Sequence, residues 1–485
     1  MTATGGARRG DVVVVGAGPA GLSAALELVR RDRRPLVLEA SDRVGGIART
    51  ERWRGHRFDI GGHRFYTREV EVERLWREVL GADLLTVRRL SRIYSRGRYF
   101  AYPLEFLDAL GKTGVVESCR IVASYLVAQT RPRGREATLE DWVVRRFGRR
   151  LFDTFFKSYT EKVWGVPCRD IGADWAAQRI RSLSLVKAVS NAVFGSHEHD
   201  SLIREFLYPR LGPGMMWERF RDLVEDGGGG VRLRSPVTAV EVDGGEVRAV
   251  RVGGDAGQRI ECGRVISSMP VGALVDALRP AAPPAVAAAA RRLRHRAMVV
   301  VGMVVDRATV FPDQWIYVHD PEVRVGRIQN FKNWSREMCA DEGSSNLGLE
   351  YFCDVGDEIW SRSDDDLVDL AARELRRLGL VDAGDVVDGV VFRQPRAYPV
   401  YDGGYDEQLR IIWRFLDGIR GLQSVGRNGR HRYNNQDHSM LTGILAARNL
   451  DGEIHDLGAV HTERSHVEAG WFVAGDGSRP AARGR

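Results

Sequence analysis

DVVVVGAGPAGLSAALELVRRDRRPLVLEA, residues 11–40, is the stretch that decides the fold. Its valine run reads as a buried strand, GAGPAG as a turn, SAALELVR as a helix and PLVLE as a second strand ending in an acid. This is the strand–GxGxxG–helix–strand–acid fingerprint of a dinucleotide site. Gly16 allows the tight turn, Gly18 lets backbone approach a pyrophosphate, and Gly21 lets helix and strand pack closely. The helix N-terminus offers free N–H groups and a positive dipole end to the phosphates. Glu39 stands where a carboxylate accepts both ribose hydroxyls.

The following residues select the dinucleotide. SDRVGGIART places Arg43, Gly45 and Gly46 just after the acid, and this resembles the RxGG element of large FAD-dependent enzymes of the glutathione-reductase and amine-oxidase kind. No second GxGxxG follows, which argues against a separate nicotinamide domain. The short alternating strands of 231–268, with Gly244-Gly245 as a hairpin turn, resemble those that complete such an FAD domain, and Val237 would pass near the adenine. The cofactor expected is FAD. Two stretches compete for the flavin-ring end. WFVAGDG at 471–477 has only eight residues after it, too few for the required helix, whereas SVGRNGRHRYNNQDHSMLTGILAARNL at 424–450 carries strand, polar turn and helix.

Composition narrows the class. A chain of 485 residues is too long for one ordinary core and suggests two or three domains. The formal charge of +7 is spread over 72 basic residues, of which five are lysines, and the arginines are interspersed with acids. No dense basic block argues for nucleic acid. Five scattered cysteines without a CxxC pair point to a reduced compartment and no zinc site. Glycines and Pro19 interrupt the first apolar run, no other run could span a bilayer, and a cytoplasmic location is expected.

FDIGGHRFY, residues 58–66, flexes the backbone at Gly61 and Gly62 and then places His63. Beside an FAD ring, two glycines bring backbone against the isoalloxazine where side chains would collide, and His63 lies over its face. The bland alternative is a glycine bulge with an exposed histidine.

From here the residues resemble, in order over 11–450, the flavin-dependent UDP-galactopyranose mutases of the longer, eukaryotic type. The resemblance includes FDIGGH, the YP of FAYPLE (Tyr102, Pro103), KVWGVP around Trp164 and DWAAQR (Arg179). It continues through QWIYV (Trp315, Tyr317), GRIQNFKNWS (Arg327, Asn333), AYP (Tyr398, Pro399) and GRNGRHRYNNQDHS, with Arg427, Arg432, Tyr433, Asn435, Gln436, Asp437 and His438. It implies a mutase interconverting pyranose and furanose rings of a nucleotide sugar such as UDP-galactopyranose, without net redox change. In that family N5 of the reduced flavin attacks the anomeric carbon, the nucleotide diphosphate leaves, and it returns after the ring has opened and reclosed. It further implies Arg179 and Arg327 on the diphosphate, with His63 at the flavin. Tyr102, Trp164, Trp315, Tyr317, Tyr398 and Tyr433 would line the substrate site. Arg427, Asn435 and Gln436 would contact cofactor, which NADPH or NADH would reduce.

Departures fall where substrate identity is set. Leu104 and Glu105 stand where the pattern has other residues near the base, 196–214 matches the family's glycine-rich flap poorly, and Thr160 replaces an asparagine. Base and sugar stay open. The expected architecture is α/β with α+β: a discontinuous Rossmann-like FAD-binding domain (1–71, 211–289, 401–451), an inserted helical domain (72–210), an antiparallel β substrate domain (290–400) and a tail (452–485). An oxidoreductase of the protoporphyrinogen-oxidase or amine-oxidase kind is the rival. A non-catalytic binding protein on the same fold is a third possibility, disfavoured by the intact Glu39, RVGG and GGH elements.

Overall fold

The computed structural model describes residues 12–102, 104, 106–130, 136–172, 205–253 and 257–460. Its centre is a parallel sheet of five strands in the order Leu422–Ser424, Arg264–Ser267, Val12–Val15, Leu36–Leu38, Gly230–Arg232. Val12 to Val15 are all buried, as a central parallel strand covered on both faces requires. Helix Pro19–Arg30 begins with proline in its first turn, where no N–H is needed. It packs between helices Gly214–Asp226 and Gln436–Asn449. Gly21 is obligatory there, since a Cβ would stand 1.9 Å from the Gly16 carbonyl oxygen.

A second sheet, Gln258–Glu261, Glu246–Val252, Val237–Asp243 and Leu278–Arg279, lies alongside. Its hairpin turns at Gly244-Gly245, both at positive φ.

The third sheet has seven strands, ordered Val386–Pro399, His295–Val305, Ser345–Cys353, Arg327–Asn330, Trp315–Val318, Ser91–Ser95, Arg98–Ala101. All neighbours are antiparallel except Trp315–Val318 with Ser91–Ser95. Helix Asp364–Arg377, capped by Ser363, covers one face with Leu367, Ala371 and Leu375. The opposite face carries Met298, Tyr317, Arg327 and Tyr398 toward the cleft described below.

The block 72–210, expected as a helical domain, is not helical throughout. Ser91–Ser95 and Arg98–Ala101 extend the seven-stranded sheet, and Leu84–Arg88 pairs with Glu205–Pro209. LEDWVVRRFGRRLFDTFF, whose apolar residues fall at helical spacings of three and four, is interrupted at Gly148. Leu139–Phe147 starts at a Thr138/Asp141 capping box and stops at Gly148, whose φ of 83° ends the helical path. The chain then resumes through a π-helical turn, Phe152–Phe156, into Lys157–Trp164. The described start of the tail, 452–460, is held against the fold. Asn449 and His455 exchange hydrogen bonds (2.7 and 3.0 Å), Arg31 pairs with Asp451 and Glu453, and Leu457 is buried. WFVAGDG lies outside the described residues.

Candidate active site

A cleft of about 720 Å³ runs from the glycine turn to the cleft-facing side of the seven-stranded sheet. At its first end Gly16 sits at φ +95°, and Gly45 N–H donates to the Ala17 carbonyl (2.8 Å), which fastens the RVGG element onto the turn. Glu39, at the end of its strand, accepts from Ala17 N–H (2.7 Å) and from the Ser41 N–H and hydroxyl (2.9 and 2.8 Å). Arg43 is paired with Asp42 and Glu51. Gly16, Gly18, Glu39, Arg43, Gly46 and Val237 all line the cleft; Gly21 and Gly45 support it from behind.

At mid-cleft the chain leaves strand His56–Asp59 into Ile60-Gly61-Gly62-His63. Gly61 has φ +102°, a conformation costly for any residue with a Cβ, and a Cβ on Gly62 would stand 2.9 Å from Gln329 Nε2. The His63 ring is held by the Ile60 carbonyl (3.0 Å). Burial, reinforced by the nearby Arg427 guanidinium, pushes its pKa down to about 4, so the imidazole is neutral at ordinary pH. Gln436 Nε2 donates to the His63 carbonyl (3.4 Å), joining this loop to the N-terminus of helix Gln436–Asn449. That helix end, with Asn434 and Asn435, opens on the cleft and favours negative charge there.

The far wall is aromatic and cationic. Tyr317, Arg327 and Glu350 stand directly opposite one another on three adjacent strands, one rung of the sheet. Arg327 donates to Glu350 through Nε (2.9 and 3.0 Å) and Nη2 (2.5 Å). Burial opposes the arginine's charge, yet the carboxylate beside it holds the guanidinium well above its ordinary pKa. Tyr398 and Tyr433 stack at 5.7 Å with planes 11° apart. Arg427 lies over both rings, 4.7 Å from Tyr433 and 5.6 Å from Tyr398, and donates to the Asn434 and Ala397 carbonyls (2.9 and 3.0 Å).

Other expected residues stand one layer back from the surface. Tyr102 packs on Tyr317 at 4.3 Å, and Trp164 meets the edge of Tyr398 at 6.5 Å. Trp315 is buried among Phe206, Trp334 and Tyr317. These three brace the lining tyrosines and do not line the cleft themselves. Arg179 lies outside the described residues. Sequence reasoning missed Glu350, Gln329 and Asn434. The available signal for Glu350 was a carboxylate inside SNLGLEYFC, a run otherwise fit only for burial.

The residues fit FAD. Gly16 and Gly18 leave the phosphate turn without side chains, Glu39 supplies a ribose acceptor, and Gly61-Gly62 clears a flat surface. Among the described residues, the buried Asn434 amide and Gln436 Oε1 lack protein partners where they line the cleft, as groups reserved for a ligand edge do. No helix of the described residues is long and apolar enough to cross a membrane.

Fold and site thus define a flavin-binding protein of mixed α/β architecture. Residues 19–407 match the flavin containing amine oxidoreductase family, and the chain belongs to that family. The coproporphyrinogen III oxidase of Mycobacterium tuberculosis is 28% identical over 452 residues, 86% of this chain and 95% of that protein. A putrescine oxidase of Kocuria rosea is 58% identical over 52 residues, 11% of each chain. Among solved structures, a reduced UDP-galactopyranose mutase superposes with a TM-score of 0.82 at 21% identity, covering 94% of this chain and 98% of the other. A putrescine oxidase bound to putrescine superposes with a TM-score of 0.60 at 18% identity, covering 92% and 100%.

Proposed function

We propose that this flavoprotein is a nucleotide-sugar mutase that interconverts pyranose and furanose forms of a UDP-galactopyranose-like substrate. The observation that carries the reading is the far wall. Two guanidinium groups and three tyrosines, drawn from four separate stretches of chain, face the GGH loop across a single cleft. That set suits an anion bearing several oxygens, since guanidinium donors bind phosphate oxygens through charge-assisted hydrogen bonds and tyrosine hydroxyls add neutral ones. FAD, when bound and reduced, supplies a nucleophilic ring nitrogen.

The chain's own residues bind and orient. Arg327 and Arg427 hold a diphosphate as it takes up negative charge on leaving and keep it within reach for return. Tyr317, Tyr398 and Tyr433 exclude water from the sugar. Neutral His63, fixed to a backbone carbonyl, presents an uncharged face to the ring and adds no positive charge beside it. Arg179 is assigned as a further phosphate ligand. The substrate domain is the seven-stranded sheet with its covering helix, and the helical layer of 106–172 braces the tyrosine wall. A soluble cytoplasmic enzyme is proposed, with a reduced nicotinamide as reductant.

A second reading, oxidation of a coproporphyrinogen-like substrate, is favoured by the oxidase relative that spans 86% of this chain. One experiment separates them. Anaerobic protein reduced with dithionite is given UDP-galactofuranose and products are separated by chromatography, while aerobic protein is given coproporphyrinogen III and oxygen uptake is followed. Conversion to UDP-galactopyranose only with reduced flavin supports the mutase. Stoichiometric oxygen uptake with no such conversion overturns it.

A further inference from the structure

We propose that Glu350 is a positioning residue that sets, through Arg327, how tightly the cleft holds its anionic substrate; this rests on the assignment of Arg327 to the phosphates. Arg327 and Arg427, which both line the cleft, are electrostatically unequal. Arg427 donates to two carbonyl oxygens and lies over two tyrosine rings, so its charge is met by no carboxylate among its hydrogen-bond partners. Arg327 gives both Nε and Nη2 to one carboxylate that is entirely buried. What it offers the cleft is the donors of Nη1 on a pair of zero net charge.

Glu350 is itself fixed. Gln329, also fully buried, donates to its Oε1 (2.7 Å) and packs against Gly62, where a Cβ would stand 2.9 Å from Gln329 Nε2. Glycine loop, glutamine, carboxylate and arginine form one continuous contact from the flavin-facing loop to the wall. A buried pair held from both sides keeps its plane, so Arg327 recognises oxygen geometry, and Arg427 supplies the net attraction. Two uncompensated cations would hold a diphosphate more strongly before and after reaction alike, which does not speed the chemical step.

The test uses the FAD-replete protein with inorganic pyrophosphate as the probe, by titration calorimetry at low and high salt. Glu350→Gln removes the carboxylate charge and keeps its size. The dissociation constant for pyrophosphate is expected to fall about tenfold or more at low salt, with a steeper salt dependence. Glu350→Asp keeps the charge while withdrawing it from the guanidinium. Affinity should stay within about threefold of wild type while turnover falls, whereas a purely structural role would make both variants behave alike. The double variant Arg327→Gln, Glu350→Gln gives an independent reading: removing a neutral pair leaves the salt dependence of wild type unchanged, which supports the proposal, and a salt dependence lowered by one cation would overturn it. Unchanged affinity in a flavin-loaded Glu350→Gln protein, or no pyrophosphate binding by either protein, also overturns it. Tightened pyrophosphate binding with no binding of UDP leaves the proposal standing and removes the nucleotide-sugar reading.

Discussion

Asp59 closes strand His56–Asp59 and immediately precedes the Ile60-Gly61-Gly62-His63 loop. It is wholly buried, and its two oxygens accept from the Tyr208 hydroxyl (2.5 Å) and the Thr50 hydroxyl (2.8 Å). Neither donor carries charge. Burial therefore wins over the two hydrogen bonds and pushes the carboxyl up to about 7 from 3.8. Because the folded state holds this proton more tightly than the unfolded one, its contribution to stability is complete below pH 3.8. It is lost as the pH rises through about 7. At about 1.4 kcal/mol per pH unit over that interval, the contribution is about 4 kcal/mol, a large part of a typical domain's stability.

Asp59→Asn cannot titrate. The expected outcome is a variant whose stability relative to wild type rises steadily between about pH 4.5 and 7 and is flat above, by about 3 kcal/mol in all. Urea denaturation of the FAD-loaded proteins, followed by tryptophan fluorescence at half-unit pH steps, gives the difference curve directly. Other titrating groups are common to both proteins and cancel. A difference curve that is level between pH 5 and 7 would show that the carboxyl is ionised throughout, and would refute the claim that burial dominates at this strand end.

Three further outcomes are expected. His63 works in the opposite sense: with its folded pKa near 4, the unfolded chain takes the proton first and stability falls on acidification from pH 6.5 toward 4. An imidazole NMR signal assigned to His63 and titrating above pH 6 would contradict this. Gly21→Ala drives a methyl into the Gly16 carbonyl and displaces the phosphate turn, at a cost of about 1–3 kcal/mol, so FAD affinity should fall about tenfold or more, read from the flavin-to-protein absorbance ratio. Lys162 ties helix Lys157–Trp164 to the seven-stranded sheet through the carbonyls of Val318, Asp320 and Val325 (3.2, 2.6 and 3.1 Å). Lys162→Met should lower stability by about 3 kcal/mol, and a loss under 1 kcal/mol in urea denaturation would show the contacts to be dispensable.

What was legible in the sequence is what local backbone geometry dictates. The turn at Gly16, the hairpin at Gly244-Gly245 and the strand–turn–helix of 424–450 each depend on residues in one unbroken local stretch, so spacing alone exposes them. Strands Ser91–Ser95 and Arg98–Ala101 fall inside the expected helical block, because two short alternating runs between helices carry no mark of the sheet they join. That sheet's other strands begin only at His295. Gly148 interrupts a run whose apolar residues keep helical spacing, and periodicity does not report a positive φ.

The site shows the same division in charge. Arg327 and Arg427 take different expected roles from the resemblance, but nothing in either polar stretch of sequence shows how the arginine's charge is met. Their difference is made by strand order, which sets Glu350 opposite Arg327 across a ladder, 23 residues away along the chain, and gives Arg427 only carbonyls and rings. Counting arginines therefore overstates the cationic strength of the cleft. The quantity a phosphate responds to is the charge left after pairing, and that is fixed by the register of three strands.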